Sequence, residues 1–169
     1  LHLLPLAFIV LAVALGAAPG RVRRTLVIGS LALSVGLLPG AADRYAWGVQ
    51  NIDAMQVHLG RWVDANLPRT ARLAVNDIGA IAFFSRREVV DLMGLVTPEI
   101  VPYRRQGERG VLRYVTETCP DYVIVFPDWF PRLTAPSTLL EPVYRVRLER
   151  HAVAGGPEMV VYRLTRCAV

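Results

Sequence analysis

Two apolar runs open the chain, "LHLLPLAFIVLAVALGAA" and "TLVIGSLALSVGLLPGAA", with no Asp, Glu, Lys or Arg in either and a single His at the extreme start. Each run is about 18 residues, roughly 27 Å as a helix at 1.5 Å per residue, enough to cross the hydrocarbon core of a bilayer. Only "PGRVRR" separates them. A secretory signal has one basic segment, one apolar segment and a cleavage site, whereas here the basic cluster lies between two apolar segments. The runs are apolar all round rather than striped, unlike the core helices of a soluble fold. The expectation is a two-helix transmembrane hairpin over residues 1–42 and a second domain over residues 43–169. Arg21, Arg23 and Arg24 form its tight connection, which the positive-inside rule places in the cytoplasm, with everything after Ala42 outside it.

Beyond that point the pattern changes. "NIDAMQVHLGRWVDANLP" places Ile52, Met55, Leu59, Trp62 and Val63 at helical spacing, and Pro68 closes the helix. "RLAV" predicts a buried strand, "NDIGAIAFFS" a turn into a short helix, and "REVVDL" another strand. "VTPEIVPYRRQGERG" has two prolines and clustered charge and predicts a loop, leading to a helix in "GERGVLRYVTETCP". "DYVIVFP" is a continuous apolar run, the pattern of a strand covered on both faces in a parallel sheet, and "DWFPRL" follows as a short aromatic element. "PVYRVRLERH" alternates and predicts a half-wet strand, "EMVVYRLTR" repeats that style, and "AVAGGP" is the turn region between them. The fold class is α/β: a small extracytoplasmic sandwich on a mixed sheet, with a C-terminal antiparallel hairpin at its edge.

The net charge of +5 comes from arginine alone, because the chain has no lysine. The arginines are scattered, with no basic helix or aromatic-interleaved ribbon, so no nucleic-acid partner is expected. An anionic lipid headgroup or phosphate-linked donor suits a basic membrane-anchored domain better. Cys119 and Cys167 are the only cysteines, and without CxxC or mixed Cys/His spacing no zinc site is expected. Outside the cytoplasm they either pair or remain two inert thiols.

Ligands of parallel α/β sheets sit beyond the carboxyl ends of the strands. Asp77 follows "RLAV", Asp91 ends "REVVD" and Asp128 follows "DYVIVFP", so these three are the candidate substrate-binding residues, fit for a sugar hydroxyl or for general-base work. Asp77, or its neighbour Asn76, and Asp128 are also well placed to cap short helices. Asp91 precedes neither a helix nor an obvious hairpin and is the strongest of the three. His2, His58 and His151 form no metal pattern, no serine lies in a nucleophile elbow, and no glycine-rich loop opens a helix, so neither metal nor cofactor is expected. Trp62 is at core spacing with His58 on the exposed or edge face of its helix, while Trp47 and Tyr45 fit the aromatic belt of a membrane interface.

The segment "WVDANLPRTARLAVNDIGAIAFFSRREVVDLMGL" resembles the extracytoplasmic C-terminal domain of bacterial multi-pass membrane glycosyltransferases of the C-type fold, similar to dolichyl-phosphate-mannose protein mannosyltransferases. The matching positions are Asp77, Gly79, Ala80, Phe83, Phe84, Ser85, Val90, Asp91, Gly94 and Leu95. The resemblance covers about a fifth of the chain. It implies transfer of a sugar from a polyprenyl-phosphate donor at the outer face of the bacterial plasma membrane, by acidic residues in an early loop that this chain lacks. It implies a C-terminal piece of such an enzyme, beginning with Leu inside an apolar run, inactive alone and meeting the donor only through upstream helices. A membrane-anchored ligand-binding or structural module is the alternative.

Overall fold

The computed structural model describes residues 4–135, 139–165 and 167. Leu1–Leu3 lie outside them, and with them His2 and the start of the first apolar run. The chain divides into two compact units, Leu1–Tyr45 and Ala46–Val169, a few residues after the expected boundary.

In the first unit the first run forms helix α1 (Leu4–Ala17) and the second lies in helix α2 (Gly20–Ile52). Among the described residues, one continuous helical stretch, Gly20–Asn66, is long and apolar enough to cross a membrane; α1 is a shorter apolar helix. The six-residue loop expected between the runs is absent. Pro19 accepts the Arg23 N–H at 2.9 Å, so the helix starts there and Arg21, Arg23 and Arg24 lie in the first turns of α2. Proline suits a helix start because the donor it lacks has no intrahelical partner in the first turn.

In the second unit the helical stretch continues through a π-helical turn (Asp53–Val57) into α3 (His58–Asn66). Then follow β1 (Arg72–Val75), α4 (Gly79–Ser85), β2 (Glu88–Asp91), a 3₁₀ turn (Pro98–Ile100), α5 (Val101–Arg104), α6 (Glu108–Thr118), β3 (Tyr122–Val125), a 3₁₀ turn (Pro127–Trp129), β4 (Leu140–Arg147) and β5 (Glu158–Leu164). The sheet order is β2-β1-β3-β5-β4, with β2, β1 and β3 parallel and the last two strands antiparallel.

The two-residue strand period sorts the core into two layers. Leu73, Val75, Ile124, Met159 and Val161 face Met55, Leu59, Val63 and Ile81 from the π turn, α3 and α4. Ala74, Val123, Val125, Val160 and Tyr162 face Ile100, Val111, Tyr114 and Val115 from the other helices. The mixed α/β sandwich is therefore the observed fold, with helices on both faces.

Two expectations need correction. The segment of residues 96–110 is largely helical, because Pro98 and Pro102 stand at helix starts, where proline is tolerated. β5 is not half-wet: within the C-terminal hairpin at the sheet's edge it is the inner strand, between β3 and β4, and is buried from Met159 to Tyr162. β4 is the edge, and there Pro142, which has no N–H to give a ladder, lies beside the register shift between Pro142 and Tyr144.

α3 and α4 touch through Gly60, where a Cβ would come within 2.8 Å of the Phe84 Cβ and 3.0 Å of the Ala80 carbonyl. Gly60→Ala is expected to lower stability by ~1–3 kcal/mol through overpacking. Gly79→Ala, where an added methyl meets nothing within 4 Å, is expected to be tolerated. Urea unfolding of the two variants in detergent checks the contrast.

Candidate functional site

The three parallel strands end on one rim. Val75 of β1 stands opposite Asp91 of β2 on one side and Ile124 of β3 on the other, so Asp77, Asp91 and Asp128 all leave the sheet at its carboxyl edge. Between β1 and β3 the chain departs in opposite directions, from β1 into α4 over one face and from β3 towards Phe130 and Leu133 over the other. Such a divergence marks the edge at which parallel α/β sheets hold ligands.

Asp91 is fully buried, and its carboxylate accepts the backbone N–H groups of Met93 (2.7 Å), Leu95 and Val96 (3.0 Å). Its own N–H donates to Thr97 Oγ1 at 3.0 Å. Inside this wrap Gly94 takes φ +83°, a conformation that excludes most side chains. The strongest rim candidate in the sequence thus has both carboxylate oxygens engaged by its own loop.

Asp77 is half-buried, and its Oδ2 accepts from Gln56 Nε2 at 2.8 Å. The expected cap is not formed: the residue preceding α4 is Ile78, already helical, with no side-chain bond to the helix start. Asp77 turns back to the π turn instead. Asp128 is exposed in the first turn of Pro127–Trp129, and that turn too has no side-chain cap.

Two buried amides stand at this edge. Asn76 is 4% exposed, and its Oδ1 accepts the Phe126 N–H at 3.3 Å, bridging the ends of β1 and β3. Its Nδ2 has no partner, nor does Oε1 of Gln56, which is 2% exposed. Buried polar atoms are nearly always paired, so an orphan donor and an orphan acceptor on one rim are a functional signal. The π turn turns both Met55 and Gln56 inward, and such turns recur at functional sites. A hydroxyl, which both donates and accepts, is the simplest group that Asn76, Gln56 and the neighbouring Asp77 carboxylate could take. Among the described residues no group of three or more His, Cys, Asp or Glu side chains could hold a metal ion.

Trp62 packs against the core, as its spacing suggests. Trp62 stacks on Tyr144 at 4.2 Å between ring centroids, and the exposed His58 shares a 2.7 Å hydrogen bond with the Tyr144 hydroxyl. Trp129 Nε1 donates to the Gly155 carbonyl at 2.8 Å and its ring lies against Phe126.

The profile of a protein family described as "Domain of unknown function (DUF8728)" matches residues 50–162, about two thirds of the chain. The chain belongs to the DUF8728 family. No curated protein and no solved structure matches it. The DUF8728 match begins after the apolar runs and takes in Gln56, Asn76, Asp77, Asp91 and Asp128, so the whole rim is family territory. Gln56 and Asn76 carry one signal in the sequence that could have marked them. Gln56 interrupts the apolar stripe of Ile52, Met55 and Leu59, and Asn76 directly follows a buried strand.

Proposed function

We propose that this DUF8728 chain is the C-terminal, extracytoplasmic α/β domain of a multi-pass bacterial plasma-membrane glycosyltransferase, with its membrane helices. The full enzyme would transfer a sugar from a polyprenyl phosphate, and this part would carry an accessory rim rather than the catalytic core. The observation that supports it most is a continuous helical stretch, Gly20–Asn66, with a window apolar enough to cross a membrane and with its last turns built into a disulfide-linked α/β domain. Cys119 and Cys167 are bonded, with their Cα atoms 5.6 Å apart. Disulfides persist in oxidising compartments, so the bond favours the outer side of the membrane. Of the positions that carry the glycosyltransferase resemblance, Asp77 precedes α4, Gly79 to Ser85 form α4 itself, Val90 and Asp91 end β2, and Gly94 and Leu95 lie in the loop after it.

The test is the mass of the native polypeptide, extracted from its own membrane and detected with an antibody to the α/β domain. A species several times heavier than 18.7 kDa is expected. A species of the chain's own mass would overturn the enzyme assignment. The disulfide supplies a separate prediction: in intact cells both cysteines resist a maleimide until a reductant is added. The bond closes a loop with a sequence separation of 48, so reduction is expected to cost about 4 kcal/mol in the chain-entropy account.

The unpaired amide atoms of Gln56 and Asn76 favour a second reading, an anchored module that binds a hydroxyl-bearing ligand by itself. Calorimetry of the full chain in detergent against monosaccharides would then show saturable heat, lost in Asp77→Asn. No heat would leave the rim as an accessory surface.

A further inference from the structure

The ten-residue connection between β4 and β5, residues 148–157, is long for a hairpin, yet it is firmly held. Asn51, buried in the last turn of α2, donates through Nδ2 to the Arg150 carbonyl at 2.8 Å. Its Oδ1 accepts the N–H groups of Ala152 (2.7 Å) and Val153 (3.3 Å). His151 bonds back to the Ala154 carbonyl, and Gly155 and Gly156 press against the Phe126 ring, where a Cβ at Gly155 would come within 2.7 Å.

This clamp creates a recess of about 310 Å³ lined by Trp47, Gln50, Arg147, Glu149 and Arg150, with Asn51 in its wall. The Arg150 guanidinium lies 4.4 Å over the Trp47 ring. Val153, an aliphatic side chain, is 57% exposed on the same connection. Along the sequence Trp47 comes five positions after Ala42, the end of the apolar run, with the exposed Tyr45 between them. Two arginines, an indole, an amide and an exposed aliphatic residue just past an apolar run are the composition of a headgroup-level surface.

We propose that this recess takes the headgroup of an anionic phospholipid. Arg147 and Arg150 meet the phosphodiester, Gln50 adds a neutral donor, and Val153 enters the acyl boundary. Glu149, on the same wall, accepts a headgroup hydroxyl, which fits phosphatidylglycerol better than a bare phosphate. The inference rests on the membrane reading of the apolar helix and needs no glycosyltransferase activity.

The experiment is native mass spectrometry of the full chain in detergent, titrated with phosphatidylglycerol or with phosphatidylcholine of the same chain length. Phosphatidylglycerol adducts should be retained roughly fivefold better per participating arginine. The preference should disappear in the Arg147→Gln, Arg150→Gln double variant and survive in Arg163→Gln, which lines a different recess. Equal retention of the two lipids, or a preference unchanged in the double variant, would overturn the proposal; the latter would point to Arg21, Arg23 and Arg24. Displacement of the lipid by millimolar inorganic phosphate would also overturn it, in favour of a free-anion site. Circular dichroism confirms that the variants are folded. A chain recovered in the soluble fraction of cells would refute the membrane reading itself, whereas a membrane-bound chain without lipid preference refutes only this inference.

Discussion

Asp91→Ala is expected to destabilise the folded chain by about 3–5 kcal/mol, seen as a lower urea midpoint with an unchanged slope. The carboxylate holds three backbone N–H groups of the loop after β2, and its own backbone N–H is tied to Thr97. Hydrogen bonds to a charged acceptor contribute about 1.5–3 kcal/mol each, but the loop is open to water at Leu95, which is 77% exposed, so released N–H groups partly rehydrate. The expected loss is therefore well below the sum of three bonds. Asp91→Asn should fall between the two, because its oxygen can still accept while its NH₂ faces donors. A residue acting only on substrate would leave the midpoint where it was. That outcome would return Asp91 to the list of ligand contacts.

The second large effect belongs to Arg87. Its side chain is 1% exposed, and its guanidinium donates to the carbonyls of Pro68 (2.8 Å), Leu67 (2.8 Å), Ser85 (2.7 Å) and Asp64 (3.3 Å) and to Asp64 Oδ1 (3.1 Å). Four of those groups lie at the end of α3 or just beyond it, where helix carbonyls have no intrahelical donor. The guanidinium therefore closes α3 and fastens it to the start of β2. Arg87→Met should cost about 3–5 kcal/mol, because it orphans several carbonyls and a half-buried carboxylate at once. Arg87→Lys should recover only part of that, since an ammonium has three donors and no planar fork. Arg86→Met, one residue earlier and exposed, is the control and should change stability by less than about 0.5 kcal/mol apart from its left-handed backbone, φ 53°. Equal effects at the two positions would contradict this account of the α3 end.

Arg86 and Arg87 also show where sequence reading stops. Two adjacent arginines are chemically identical, and only the tertiary placement of the α3 end, whose carbonyls Arg87 reaches, decides which one is buried. The strands with their own periodic signature were legible: "RLAV", "REVV" and "YVIV" became the parallel core, and Tyr144, Val146 and Leu148 face inward from the edge as their alternation predicts. β5 was misjudged because burial on both faces follows from its neighbours, β3 and β4, and sheet order is not written in a local pattern. The π turn was hidden for a related reason. Ile52, Met55, Leu59 and Trp62 satisfy ordinary helical spacing, and the widened turn shows itself only in the inward position of Gln56. Of the rim, the position of Asp77, Asp91 and Asp128 after the parallel strands is legible in the sequence, whereas the burial of Asn76 and Gln56 beside them follows from the tertiary packing.

The central claim is that the α/β domain stands outside the cytoplasm on a membrane helix. It is tested most directly by adding protease to sealed, right-side-out membrane vesicles carrying the full chain, with an antibody to the α/β domain and another to a tag on a known cytoplasmic protein. The account predicts that the domain is digested while the cytoplasmic marker survives. A domain that resists digestion until the vesicles are opened with detergent would contradict it.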